Sequence, residues 1–153
     1  MNDMHLGAKV FLQNPLHHML FKTLTGSKKR IVRAKKYLID WNKKSKSNIQ
    51  FATKQFLKDY WKDHVVFEEF PVAGTRLTFD FYNANKGIAI EVQGAQHTKY
   101  VKFFHKRPAN FVSQIRRDQQ KLDFCELNEI NLVEIYSEKE LNKKSFEDLG
   151  IYL

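Results

Sequence analysis

Between residues 64 and 93 the chain changes from helical to strand periodicity, and no other stretch restricts its fold as much. Thr75-Arg76-Leu77-Thr78-Phe79-Asp80-Phe81-Tyr82 alternates strictly, which sets Leu77, Phe79 and Phe81 on one face and Arg76, Thr78, Asp80 and Tyr82 on the other. Residues 83–87 (NANKG) read as a hairpin turn, and residues 88–93 return with Ile88, Ile90 and Val92 opposed to Ala89, Glu91 and Gln93. Residues 64–70 read as the strand before, turned by Pro71 and Gly74. Helices are expected over 49–63 and 109–128, a short strand over 131–136, and one or two helical turns in the tail. Helix, three strands, helix, strand is the order of an α/β (α+β) domain, a small mixed β-sheet flanked by helices.

Length and composition narrow the setting. At 153 residues and 42% hydrophobic, the chain has room for one domain with an appendage and for a buried core. The lone Cys125 excludes an internal disulfide framework and a Cys-rich zinc ribbon. Apolar runs at 10–12 and 19–21 are too short for a signal peptide, and no stretch is long enough to span a bilayer. The expectation is an intracellular, cytoplasmic protein without a membrane partner.

Charge is distributed unevenly. Residues 1–63 carry 14 Lys or Arg against four acids, a net of +10, and residues 64–153 are close to neutral. Residues 27–41 read as a helix capped by Ser27, with Ile31, Ala34, Leu38 and Trp41 on one stripe and Lys28, Lys29, Arg30, Arg33, Lys35 and Lys36 around the rest. Such a segment is either a solvated helix or an arm that neutralises backbone phosphates, and polyanion binding is the favoured reading. Its narrow apolar stripe suits a membrane surface poorly. The polar connector at 42–48 marks a boundary, giving a basic helical N-terminal extension (1–48), a core (49–142) and a C-terminal tail (143–153).

Three acids break the local patterns. Asp80 lies mid-strand, where Asp is disfavoured. Glu91 ends an apolar strand, and the hairpin brings it close to Asp80. Asp118 falls between Ile115 and Leu122 on the helical stripe of Phe111 and Cys125, where an unpaired carboxylate costs several kcal/mol. Converging carboxylates at the ends of adjacent strands suit a hard cation such as Mg²⁺, and His97, just past Gly94, lies within reach as a proton carrier. Taken singly, Asp80 could pair with Arg76, Glu91 could face solvent, and Asp118 could answer Arg116 or Arg117. His97, His105 and Cys125 lack any zinc-ligand spacing.

Together, Asp80-Phe81-Tyr82, the run Ile88-Ala89-Ile90-Glu91-Val92-Gln93-Gly94-Ala95-Gln96-His97, Arg116-Arg117-Asp118 and Val133-Glu134-Ile135-Tyr136 resemble the very-short-patch-repair-type endonucleases. These belong to the PD-(D/E)XK, restriction-endonuclease-like superfamily, and the likeness extends to homing endonucleases with a Glu-Asp-x-His-Asp site. It covers roughly residues 49 to 137. The resemblance implies a restriction-endonuclease-like core and a metal-dependent DNA endonuclease. Asp80 and Glu91 would hold Mg²⁺ or Mn²⁺, and His97 would act as general acid or base. Asp118 would orient His97 or water, and Gln93, in the position of the family's Lys, would position water or phosphate. The basic residues from 28 to 46, with Arg116 and Arg117, would hold the DNA backbone. A homodimer is one way for so small a nuclease to cut both strands.

Two departures stand out. Gln93 carries no charge, and the helix before the sheet offers Lys54 and Gln55 where the family tends to place a Glu. Glu68 or Glu69 would have to substitute, and strand alternation lets only one of them face the site. A non-catalytic nucleic-acid-binding module on the same fold is the alternative, and a protein-interaction domain whose basic arm meets an acidic partner is a third.

Overall fold

The computed structural model describes residues 19–93 and 108–153. At its centre β3 (Val66–Pro71), β4 (Thr78–Asn83) and β5 (Ile88–Val92) form an antiparallel meander, and β6 (Asn131–Ile135) joins β5 in parallel, giving the order β3-β4-β5-β6. The β4–β5 turn closes because the Asn83 side chain accepts the Lys86 N–H at 3.0 Å, and Gly87 takes the positive φ of 65°. A parallel partner needs a crossover connection, and α2 (Pro108–Leu127) lies within it. Before the sheet, α1 (Asn48–Trp61) starts where the Ser47 hydroxyl accepts the Gln50 N–H.

Both faces of this sheet are covered. On one, Val66, Phe81, Ile88, Ile90, Val133 and Ile135 pack against Leu57 and Trp61 of α1 and Phe146 of α3 (Lys143–Asp148). On the other, Phe67, Tyr82 and Ala89 meet Phe124 and Cys125 of α2 together with Met19, Phe21, Ile31 and Ala34. The chain is thus a small mixed α and β fold, as its change of period predicts.

The basic N-terminal stretch is not the expected helix. β1 (Leu20–Lys22) and β2 (Lys28–Arg30) pair antiparallel, and Ser27, expected as a helix cap, closes their turn instead through a 2.6 Å contact with the Thr23 hydroxyl. A single 3₁₀ turn, Ala34–Tyr37, follows Arg33, whose φ of 56° is left-handed. Adjacent cations repel at helical spacing, and β-branched Ile31 and Val32 are stiff there. A strand instead lets Phe21 enter the core, where its ring meets Phe70, Tyr82 and Phe124 at 5.6–6.1 Å. Of the expected stripe, Ile31 and Ala34 are buried while Leu38 is exposed. The described part of residues 1–48 therefore shares the core of the sheet.

One buried cation ties these parts together. Lys54 on α1 is completely inaccessible; its Nζ pairs with Glu68 of β3 at 2.6 Å and donates to the carbonyls of Lys43 (2.6 Å) and Asp40 (3.1 Å). The helix, the connector and the first sheet strand meet on one ammonium. Lys54→Met strands the Glu68 charge, so urea unfolding should show a loss of about 3–5 kcal/mol, against roughly 0.5 kcal/mol or less for Lys58→Met on the same helix.

Candidate functional site

The site lies where β4 parts from β5. The β4–β5 ladder runs from Asn83↔Ile88 to Phe81↔Ile90 and stops one step short of Asp80 and Glu91, whereas β5 stays with β6 as far as Val92↔Ile135. Past the break the Asp80 carboxylate does what a backbone carbonyl would have done: Oδ2 accepts the Val92 N–H at 2.7 Å. The divergence also turns the strand. Phe79 was expected to share a face with Phe81, yet Phe79 joins the Phe124 cluster and Phe81 the Trp61 cluster. The faces expected for β5 do hold, with Ile88 and Ile90 on the α1 side and Ala89 opposite.

Asp80 and Glu91 are each only 4% exposed. Glu91 contacts Lys121 of α2, and Asp80 Oδ1 receives Lys46 Nζ at 3.0 Å. Lys46 also reaches Glu69, at 3.3 Å. Burial pushes the Glu91 carboxyl up to about 8; the Asp80 charge adds to this and Lys121 works against it. Burial likewise pushes the Cys125 thiol up to about 12, with Glu91 contributing. For Lys46 burial works against the charge, but Asp80 and then Glu69 outweigh it and hold the ammonium above its ordinary range.

Glu68 and Glu69 overturn the expectation that alternation admits only one of them. Glu69 has a left-handed φ of 53°, which cancels one step of alternation and turns both carboxylates toward α1. Gln50 Nε2 donates to Glu68 Oε2 and to Glu69 Oε1, each at 3.0 Å. Ser45 closes on Glu68 at 2.6 Å and Thr78 on Glu69 at 3.2 Å. A left-handed Glu costs about 1–2 kcal/mol, and these bonds offset it. In place of a helix Glu, Gln50 and Lys54 of α1 hold a pair of strand glutamates.

The remaining expected residues sort themselves by place. Gln93 is buried at the end of β5, its N–H bonded to the Ile135 carbonyl at 2.7 Å. Asp118 accepts from Gln114 on its own helix at 2.9 Å and is half-buried rather than turned into the core. Its supposed apolar stripe is open, Ile115 being 51% and Leu122 46% exposed, because α2 packs down mainly through Phe124 and Cys125 near its end. His97 lies outside the described residues. Lys28, Lys29, Arg30, Arg33, Lys35 and Lys36 are exposed, as are Arg116 and Arg117, the latter bonded to Gln114 at 2.9 Å. Lys36 helps line a cavity of about 400 Å³ with Lys43, Lys44, Lys46, Glu68 and Glu69, so the basic surface reaches the two strand glutamates. The sequence reading missed Lys121 as a site residue. Its one signal was a place one turn after Asp118, on the side that meets β5.

Among the described residues no three His, Cys, Asp or Glu side chains gather as a metal site. The donor set is the pair Asp80 and Glu91. Mg²⁺ is commonly held by one or two carboxylates with water completing the shell. Asp80 and Glu91 supply that number of carboxylates, and an ion held between them would have to share or displace the ammonium groups of Lys46 and Lys121 that already face them.

Comparison with known proteins gives relatives without a described activity. The chain is 29% identical over 86 residues to "Uncharacterized protein 033L" of Invertebrate iridescent virus 3, which covers 56% of this chain and 44% of that protein. It is 35% identical over 66 residues to "Uncharacterized protein 307L" of Invertebrate iridescent virus 6, covering 42% of this chain and 34% of that protein. The chain thus matches less than half the length of either relative. No family model and no solved structure matches.

The raised Glu91 carboxyl has a consequence for stability. A folded-state value above the ordinary one gives stability that is full below about 4.5 and is lost as pH rises toward about 8. In EDTA the melting temperature of the wild type should fall over that window relative to Glu91→Gln. A cation held by Asp80 and Glu91 would, at 100 times its dissociation constant, restore about 2.7 kcal/mol near pH 8. Equal pH profiles for the two proteins would show that Glu91 does not carry the effect.

Proposed function

We propose that the chain is a metal-dependent DNA endonuclease of the PD-(D/E)XK kind, hydrolysing phosphodiester bonds at the Asp80–Glu91 pair. The supporting observation is the pair itself: two buried carboxylates side by side where β4 leaves β5, each within reach of a lysine. A divalent cation held by Asp80 and Glu91 would supply positive charge to a phosphate whose negative charge grows during hydrolysis.

The chain's own groups supply the rest. Lys121 brings the fixed cation that Gln93 lacks; it holds Glu91 in place and can donate to a phosphate oxygen or orient an attacking water. Asp118, one turn earlier on α2, would orient water, and His97 would transfer a proton, as the resemblance implies. Lys36, Lys43 and Lys44 around the neighbouring cavity, with Lys28, Lys29, Arg30, Arg33 and Lys35 beyond, would bind backbone phosphates without reading sequence. Among the described residues no helix is long and apolar enough to cross a membrane.

A second reading rests on Lys46 and Lys121. Both carboxylates already face an ammonium, as they would in a nucleic-acid-binding module that performs no chemistry. Supercoiled plasmid separates the two. A nuclease nicks it with Mg²⁺ or Mn²⁺, stops in EDTA, and slows by about 100-fold or more in Asp80→Ala. A binding module leaves plasmid, branched and mismatched DNA intact yet retards them in a gel, more weakly as salt rises.

A further inference from the structure

We infer that Lys46 stands in for the divalent cation at Asp80, and that a backbone phosphate of the substrate must draw it away before the cation is held there. The inference rests on the endonuclease reading and deepens it: cation and nucleic acid bind as alternatives to one lysine contact, and therefore cooperatively.

The oxygens of Asp80 are unequal. Oδ2 is committed to the Val92 N–H at 2.7 Å, a bond that replaces part of the β4–β5 ladder. Oδ1 is the oxygen on which Lys46 Nζ sits, at 3.0 Å. An ion entering beside Glu91 meets an ammonium already placed on that atom.

The lysines of this neighbourhood are unequal too. Lys54 is fully buried and bonded to two backbone carbonyls, and the Lys121 side chain is 17% exposed. The Lys46 side chain is 61% exposed although its partner Asp80 is 6% exposed, and it belongs to the connector ahead of α1 rather than to a helix or strand. It can exchange partners with little disturbance to the core.

The exchange partner is set by what surrounds Lys46. It lines the cavity of about 400 Å³ beside Lys36, Lys43 and Lys44, and Glu68 in that lining is neutralised by Lys54. A phosphate arriving there meets several ammonium groups, of which Lys46 is the one shared with Asp80. When it turns to the phosphate, Asp80 and Glu69 lose a positive partner, and a divalent cation on Asp80 and Glu91 restores the charge. Glu69, Asp80 and Glu91 outnumber Lys46 and Lys121 by one, and phosphate and divalent cation together make up that one charge, whereas cation without phosphate crowds two positive groups against one carboxylate oxygen.

Titration calorimetry with Mn²⁺ tests this on the full chain, as wild type, Lys46→Met and Lys46→Arg, with and without a short phosphorothioate duplex and after subtraction of duplex alone. In wild type the duplex should tighten Mn²⁺ binding about fivefold, the worth of one partly exposed ion pair. Lys46→Met should bind Mn²⁺ about fivefold more tightly without duplex and gain little from it, while Lys46→Arg follows wild type. Melting temperatures matching wild type will show that the variants are folded. Mn²⁺ affinity in Lys46→Met equal to or below wild type, no Mn²⁺ binding by any variant, or a duplex without effect on wild type each overturns the inference. The result is separable from plasmid nicking. The Mn²⁺ pattern without nicking retires the endonuclease reading and keeps Lys46; nicking without the pattern does the reverse.

Discussion

A carboxylate doing the work of a peptide carbonyl is what the rest of this molecule is arranged around. Where β4 separates from β5, the Val92 N–H would be left without its antiparallel partner, and burying it so would cost on the order of 1–3 kcal/mol. Asp80 removes that cost with one oxygen. The solution fixes the position of the other oxygen, brings Glu91 alongside, and requires positive charge nearby, because both carboxylates are almost wholly buried. Lys46 and Lys121 follow from that requirement.

The same reasoning runs through the adjoining glutamates. Four acids of the sheet, Glu68, Glu69, Asp80 and Glu91, meet three lysines that come from three different places: the connector, α1 and α2. Each lysine therefore fastens a separate part of the chain to the sheet. Desolvation makes such pairs poor sources of stability but effective at fixing relative position, since breaking one strands a buried charge. What distinguishes them is access to solvent, from none at Lys54 to the exposed side chain of Lys46.

Much of this was legible in the sequence, for identifiable reasons. Alternation over 78–92 and the NANKG turn are local signals, and they placed the hairpin and brought Asp80 and Glu91 together, although the face of Phe79 was lost where β4 parts from β5. The residues that failed were those governed by distant contacts. Ser27 to Trp41 has a helical stripe, but Phe21 offers an antiparallel partner with an aromatic core to enter, and tertiary packing overrode the local pattern. Asp118 lies on a stripe whose N-terminal part is open. Glu69 broke the alternation through one left-handed residue, which no period reveals. Lys121 was missed because its partner lies thirty residues away on another element.

The burial of Phe21, Ile31 and Ala34 carries a consequence for how a large polyanion would be handled. A basic tail on a flexible tether searches a wide volume and holds its target at no fixed offset. Here the lysines of β2 and of the following 3₁₀ turn stand on a hairpin bolted into the hydrophobic interior by three aromatic contacts. They are graduations on a ruler whose zero is the carboxylate pair: a polyanion bound along that surface would meet the pair at a constant distance, set by the packing of a phenylalanine.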